Sequence, residues 1–157
     1  MKRDFSLTSA RAAAANGTVA LWVGDFLASR GGDNSVLAAA LAQREHWWVG
    51  PIEVPLGRLE RLAGPDDVLV PIEPAEWEDD VADMEASIED GWEPPPLLAE
   101  HQDGRLLLQD GNHRYEALRR EGADAAWVLI YFDDPVARDR FMREARDLRA
   151  ARPRARP

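Results

Sequence analysis

The stretch that decides the fold is Leu108-Gln109-Asp110-Gly111-Asn112-His113-Arg114-Tyr115-Glu116-Ala117-Leu118-Arg119-Arg120. Its first residues close an apolar run, and its last seven have helical composition, so a strand hands over to a helix inside DGNHR. The start of a helix leaves backbone N–H groups without intrahelical partners and concentrates partial positive charge there. A glycine just before it allows positive φ and close approach of a ligand. Together these features make an anion site. On this reading Gly111 makes the turn, and Asn112, His113 and Arg114 hold a phosphate from the first helical positions. Arg114 can grip two phosphate oxygens, and His113 can donate one hydrogen bond. Asp110, at the carboxyl end of the strand, is placed for a Mg²⁺ contact or for general-base work. The same residues also suit an ordinary turn and cap, with Arg114 paired to Asp110 or Glu116. Local chemistry alone leaves the two readings level.

Working upstream, Leu97–His101 and Arg105–Gln109 flank Gln102-Asp103-Gly104 and predict a hairpin. The prolines at 94–96 require extended backbone. Before them, Pro74 opens a helix with Trp77, Val81, Met84 and Ile88 on one face and an acidic opposite face, closed by Gly91 in the left-handed conformation. Ile52, Val54 and Leu56 alternate as a strand, and Gly57–Leu62 predicts a short helix. Gly64–Asp67 reads as a turn, and Val68–Ile72 as a second short apolar run. The first 50 residues read as helical. Val19, Trp22, Val23, Phe26 and Leu27 form an amphipathic stripe that breaks at Arg30-Gly31-Gly32. A second helix, capped by Asp33 or Asn34, runs from Ser35 to about Arg44. Trp47 and Trp48 are expected in the core, with Gly50-Pro51 ending the segment.

Downstream, a helix from about His113 to Glu121 stops at Gly122. Ala125–Phe132 is a buried strand, and Pro135 opens a last helix with Ala137, Phe141, Ala145 and Leu148 on one face. The expectation is a mixed α/β domain with a small sheet. Its divisions are an N-terminal helical extension (1–50), a core (51–134), and a C-terminal helix with an Arg/Pro-rich tail (135–157).

The 157 residues contain no cysteine, which removes thiol chemistry and disulfides, and carry a net charge of −10. Residues 138–157 hold eight arginines against three acids, a balance of +5, so residues 1–137 carry −15. A body this acidic repels nucleic acid, which makes DNA a less favoured partner. The arginine-rich tail is the candidate contact for a polyanion or an acidic protein partner. No stretch reads as a signal peptide or membrane span, so a cytoplasmic setting without membrane partners is expected. The three histidines lack metal-ligand spacing. Glu53, Glu60 and Glu85 read as solvated carboxylates, and His101 as exposed beside the hairpin turn. His46 has no evident partner, and Asp133-Asp134 read as a helix start capped by Asp134.

Several of these elements, in this order, carry a family resemblance. The run Met84-Glu85-Ala86-Ser87-Ile88, Gly91, Pro95-Pro96-Leu97-Leu98, Asp110-Gly111-Asn112-His113-Arg114-Tyr115-Glu116-Ala117, Gly122 and Val128 resembles the N-terminal domain of ParB-like proteins. Ile52–Leu59 looks like that family's opening strand, so the resemblance spans roughly residues 51–133. It implies a ParB/sulfiredoxin-like fold with a nucleotide site, whose phosphate box falls on Gly111, Asn112, His113 and Arg114 after Asp110. The implied cofactor is ATP or another nucleotide with Mg²⁺, and the implied activity an ATP-dependent phosphotransferase or nucleoside triphosphatase. In that role Asp110, His113 and Arg114 would be the catalytic residues. Sulfiredoxin chemistry is excluded, because it needs a cysteine in the box and this chain has Asn112 there. Only about 25 residues follow Phe132, too few for the partition proteins' helix-turn-helix and dimerisation domains. The alternatives are a non-catalytic nucleotide sensor or adaptor and, behind it, a DNA-binding, nuclease or partition-related protein.

Overall fold

Residues Ala125 to Phe132 have almost no polar side to turn toward water, so the strand they form needs cover on both faces. In the computed structural model, which describes residues 5–30, 32–66 and 69–151, they form β7 (Ala125–Phe132) near the centre of a five-stranded sheet. The other strands are β1 (Trp47–Pro55), β2 (Leu59–Arg61), β5 (Leu97–Gln102) and β6 (Arg105–Asp110), in the order β1-β7-β5-β6-β2. β1 pairs antiparallel with β7, β7 parallel with β5, β5 antiparallel with β6, and β6 parallel with β2. β3 (Ala63–Gly64) and β4 (Val70–Pro71) make a separate two-stranded piece. The architecture is mixed α/β, as expected.

Alternation along β5 and β7 assigns the two faces. Leu97, Ala99, Val128, Ile130 and Phe132 point to one side, where they pack with Tyr115 and Leu118 of α5 (Asn112–Arg120) and Phe141 of α6 (Pro135–Ala151). Leu98 and Leu129 point to the other, against Ala10 and Ala13 of α1 (Leu7–Ala15) and Val23, Phe26 and Leu27 of α2 (Val19–Ala28). α3 (Ser35–Ala42) adds Leu37 and Ala38 to this layer. α4 (Pro74–Glu89) lies on α5, burying Trp77 and Val81 against Ala117. Its predicted face of Trp77, Val81, Met84 and Ile88 is the face it buries.

Several expectations change. Trp47 and Trp48 are half-buried residues at the start of β1, because the strand continues through Gly50-Pro51. There the register with β7 shifts between Val49 and Ile52: Gly50 takes φ +109°, and an added Cβ would meet Val128 O at 2.5 Å. The expected helix at 57–62 is a 3₁₀ turn, Leu56–Arg58, followed by β2, since pairing with β6 outweighs local helical preference. α1, capped by Ser6, was not marked by any stripe in the sequence. His101 is half-buried, stacked on Phe132 with centroids 4.9 Å apart. The segment Val68–Ile72 contributes only β4; Val68, the side chain of Leu148 and residues 152–157 lie outside what is described.

The central position of β7 gives a direct test. Leu129→Ala should lower unfolding free energy by about 2–5 kcal/mol in urea denaturation, through lost burial and a residual cavity. Leu21→Ala, on an exposed position of α2, should change it by less than about 0.5 kcal/mol.

Candidate functional site

The chain passes from β6 into α5 through Gly111, at φ +96° and ψ 26°. A side chain cannot replace that glycine: an added Cβ would lie 2.6 Å from Leu97 Cδ2 and 2.9 Å from Arg114 Nη2. The first helical bond runs from Tyr115 N–H to Gly111 O at 2.8 Å. No side chain caps α5, and the amides of Asn112, His113 and Arg114 donate to no acceptor among the described residues. By contrast Ser6, Asn34 and Glu73 cap α1, α3 and α4.

The side chains of the box divide into two groups. Asn112 is buried: its Oδ1 accepts from Leu62 N–H at 2.9 Å and Ala63 N–H at 3.1 Å, while its Nδ2 donates to Leu108 O at 3.2 Å. It pins the segment after β2 to the start of α5. Arg114 also turns inward, with its side chain 6% exposed. Its Nη2 donates to Asp110 Oδ2 at 2.8 Å and its Nη1 to Pro95 O at 3.0 Å, and its guanidinium lies over the Phe26 ring. Burial pulls its pKa below the usual arginine value, with the Asp110 carboxylate opposing; an arginine in this setting stays charged. Asp110 Oδ1 accepts from Asn34 Nδ2 at 3.1 Å, so both its oxygens are engaged. Asn34 meanwhile caps α3, accepting from Leu37 N–H at 3.2 Å.

His113 is the most exposed of these side chains, at 28%, although its Nε2 is shielded from solvent. Its ring lies 4.6 Å from that of Trp77, and its Nε2, which has no hydrogen-bond partner, stands 3.5 Å from Asp80 Oδ2. Burial lowers its pKa from the ordinary value, and Asp80, Glu76 and Asp110 only partly oppose this. Beside it opens a cavity of about 670 Å³ lined by Asp80, Asp83, Met84, Ser87, Asp90 and Trp92.

The remaining candidates have structural partners or none. Glu60 accepts from two Arg105 nitrogens, Asp134 caps α6 at Ala137 N–H, and Asp133 accepts from Arg44. Glu53 is exposed and Glu85 half-buried. Glu116 is buried beneath Arg119 and Arg120, and Arg120 also grips Glu78 with two nitrogens. Among the described residues no three His, Asp or Glu side chains could together hold a metal ion. Asp110 spends one acceptor site on each oxygen, on Asn34 and on Arg114. Asn34 and Asp80 belong to the site by position. The sequence signalled Asn34 as a cap but carried no sign of its reach across 76 positions to Asp110.

Two outcomes follow. Asp110→Ala leaves a buried guanidinium without its carboxylate and should cost about 3–5 kcal/mol in denaturant unfolding; Asp110→Ala with Arg114→Met should cost less than the sum of the single changes. For His113, the folded pKa lies below the ordinary 6.5, so the unfolded chain takes up the proton first as pH falls. The wild type should therefore lose stability on going from pH 7.5 to 5 relative to His113→Gln, with the gap opening as pH drops through about 6.5. An NMR titration of the His113 ring should give a midpoint under that value.

No family model and no curated protein matches the chain. Among solved structures it is similar to sulfiredoxin from Arabidopsis thaliana, at 24% identity over 50% of this chain and 81% of that one, with a TM-score of 0.38. It is also similar to a Pnob8-like ParB-N domain, at 20% identity over 71% of this chain and 41% of that one, TM-score 0.39. A free serine kinase in complex with AMP is 25% identical over 50% of this chain and 30% of that one, TM-score 0.37. By its own order of elements the chain is a mixed α/β domain built on a five-stranded sheet.

Proposed function

We propose that this protein binds a nucleotide, holding a phosphate on the first turn of α5. The observation that carries this reading is the uncapped helix start behind Gly111, with three amides left to donate. Amide hydrogen bonds to a phosphate are charge-assisted, and the helix dipole favours the anion. Asn112 and Arg114 contribute their amides, while their side chains hold the loop in place. His113 supplies the one side-chain donor of the box, and burial favours its neutral form. The acidic cavity beside it repels phosphate and suits the other end of the ligand. There Trp92 offers a ring face, and Asp83 and Asp90 offer acceptors for hydroxyl or amino groups.

The engagement of Asp110 by both Asn34 and Arg114 favours binding without turnover, as in a nucleotide sensor or adaptor. An ATP-dependent phosphotransferase or nucleoside triphosphatase would need Asp110 to release one of those partners before acting as a base.

Thermal shift with ATP, ADP, CTP and GTP, each with and without Mg²⁺, tests the reading. At a ligand concentration about 100 times Kd, stabilisation should reach about 2.7 kcal/mol. The amide resonances of Asn112, His113 and Arg114 should move with the same saturation curve, and His113→Ala should weaken binding while leaving the unliganded Tm near wild type. A folded sample that no nucleotide stabilises would refute nucleotide binding. Release of phosphate by the bound protein would restore the enzymatic reading.

A further inference from the structure

The N-terminal helices and the start of β1 bound a second cavity, of about 650 Å³, within the usual range for ligand pockets of about 300–1,000 Å³. Its helical wall is apolar, with Ala14 of α1, Ala20 and Val23 of α2, and Ala38, Leu41 and Ala42 of α3. Gly24 lines it too, from the interior of α2, where glycine costs about 1 kcal/mol relative to alanine. Packing does not require that glycine, since an added Cβ would meet no atom within 4 Å. Its effect is to leave room in the cavity.

The sheet side of the same cavity carries polar groups that lack partners. His46 and Trp48 both line it. The His46 side chain is only 7% exposed, and neither ring nitrogen makes a hydrogen bond. Its nearest acid, Asp133 Oδ1, stands 3.8 Å from Nδ1 and already accepts from Arg44. Trp48 Nε1 is equally shielded and equally unpaired. Each such group costs about 1–3 kcal/mol, and native proteins keep few of them. Both rings pack on Tyr131, with centroids 5.2 and 5.4 Å away, and a turn about χ2, whose wells are broad, brings a nitrogen to the cavity.

The chemistry of these groups selects the ligand. An indole N–H can only donate. Of the three charged residues lining the cavity, Arg44, Glu45 and Arg138, two are donors only. Arg138 is held by Asp139, its sequence neighbour, at 3.1 Å, a surface pairing of small worth that leaves it free to turn. A slot with apolar walls and an excess of donors at one end fits an apolar body with an acceptor head. We propose that this is a second ligand site, taking a small apolar carboxylate of the aryl or branched-chain class. Its body lies along Gly24 and the alanines, and its carboxylate meets Trp48 Nε1–H, His46 and Arg138.

Phenylacetate and isovalerate serve as probes, added to the full ¹⁵N-labelled chain and followed at the tryptophan indole resonances. The Trp48 peak is identified by its loss in Trp48→Phe. It should shift saturably with either probe, and 2-phenylethanol, which lacks the carboxylate, should bind at least about tenfold more weakly. Gly24→Leu should fill the space, keep or raise Tm, and abolish the shift. His46→Phe should weaken it about tenfold with the fold intact. The proposal fails if neither acid moves the Trp48 peak, or if Gly24→Leu binds as the wild type does. Equal binding of the alcohol would overturn the carboxylate head, independently of whether either cavity variant folds.

Discussion

The buried pair of Asp110 and Arg114 is the constraint on which the rest of the site depends. A guanidinium withdrawn from water needs nearly every donor occupied, and this one has Asp110 on one side, Pro95 O on another and the Phe26 ring across its face. These three contacts come from β6, from the extended segment ahead of β5, and from α2. The pair therefore ties the turn before α5 to both a proline-stiffened strand entry and the N-terminal helical layer. Removing either charge would leave the other stranded, so the arrangement holds as a unit.

That commitment changes what the loop offers a ligand. An arginine in an anion-binding sequence is commonly read as a phosphate grip, and here its charge is consumed internally. Under the proposed reading recognition falls to the backbone, where Gly111 at φ +96° brings three uncapped amides to the start of the helix. Backbone donors are rigid and lose little entropy on binding. They do not discriminate between bases, so under the proposed nucleotide reading selectivity would come from the acidic cavity lined by Asp80, Asp83 and Trp92.

Much of this was legible in the sequence, and the limits have physical causes. The strand–turn–helix junction, the hairpin turn at Asp103-Gly104, the buried β7 and the apolar face of α4 all rest on local periodicity or turn chemistry, and each formed as expected. β2 could not be read, because three residues ahead of a turn have no periodicity and owe their conformation to pairing with β6. β1 was cut short at Gly50-Pro51, since a bulge and a strand end share the same residue signals. In the box, the residue types were correctly placed, and the alternative pairing of Arg114 with Asp110 was already visible. Which way Arg114 turns depends on Phe26 and Pro95, 88 and 19 positions away, and no local pattern encodes that.

The same contacts bear on how the N-terminal helices should be regarded. Composition divides the chain near residue 50, yet Leu98 and Leu129 of the central strands are covered by α1 and α2. Asn34 caps α3 with one end of its amide and holds Asp110 with the other. Phe26, which receives Arg114, lies two residues after Gly24, which lines the second cavity. The helices are thus structural partners of the DGNHR turn. Any ligand that alters the packing of α2 or α3 does so on the elements that position Asp110 and Arg114, and linkage makes such an effect reciprocal.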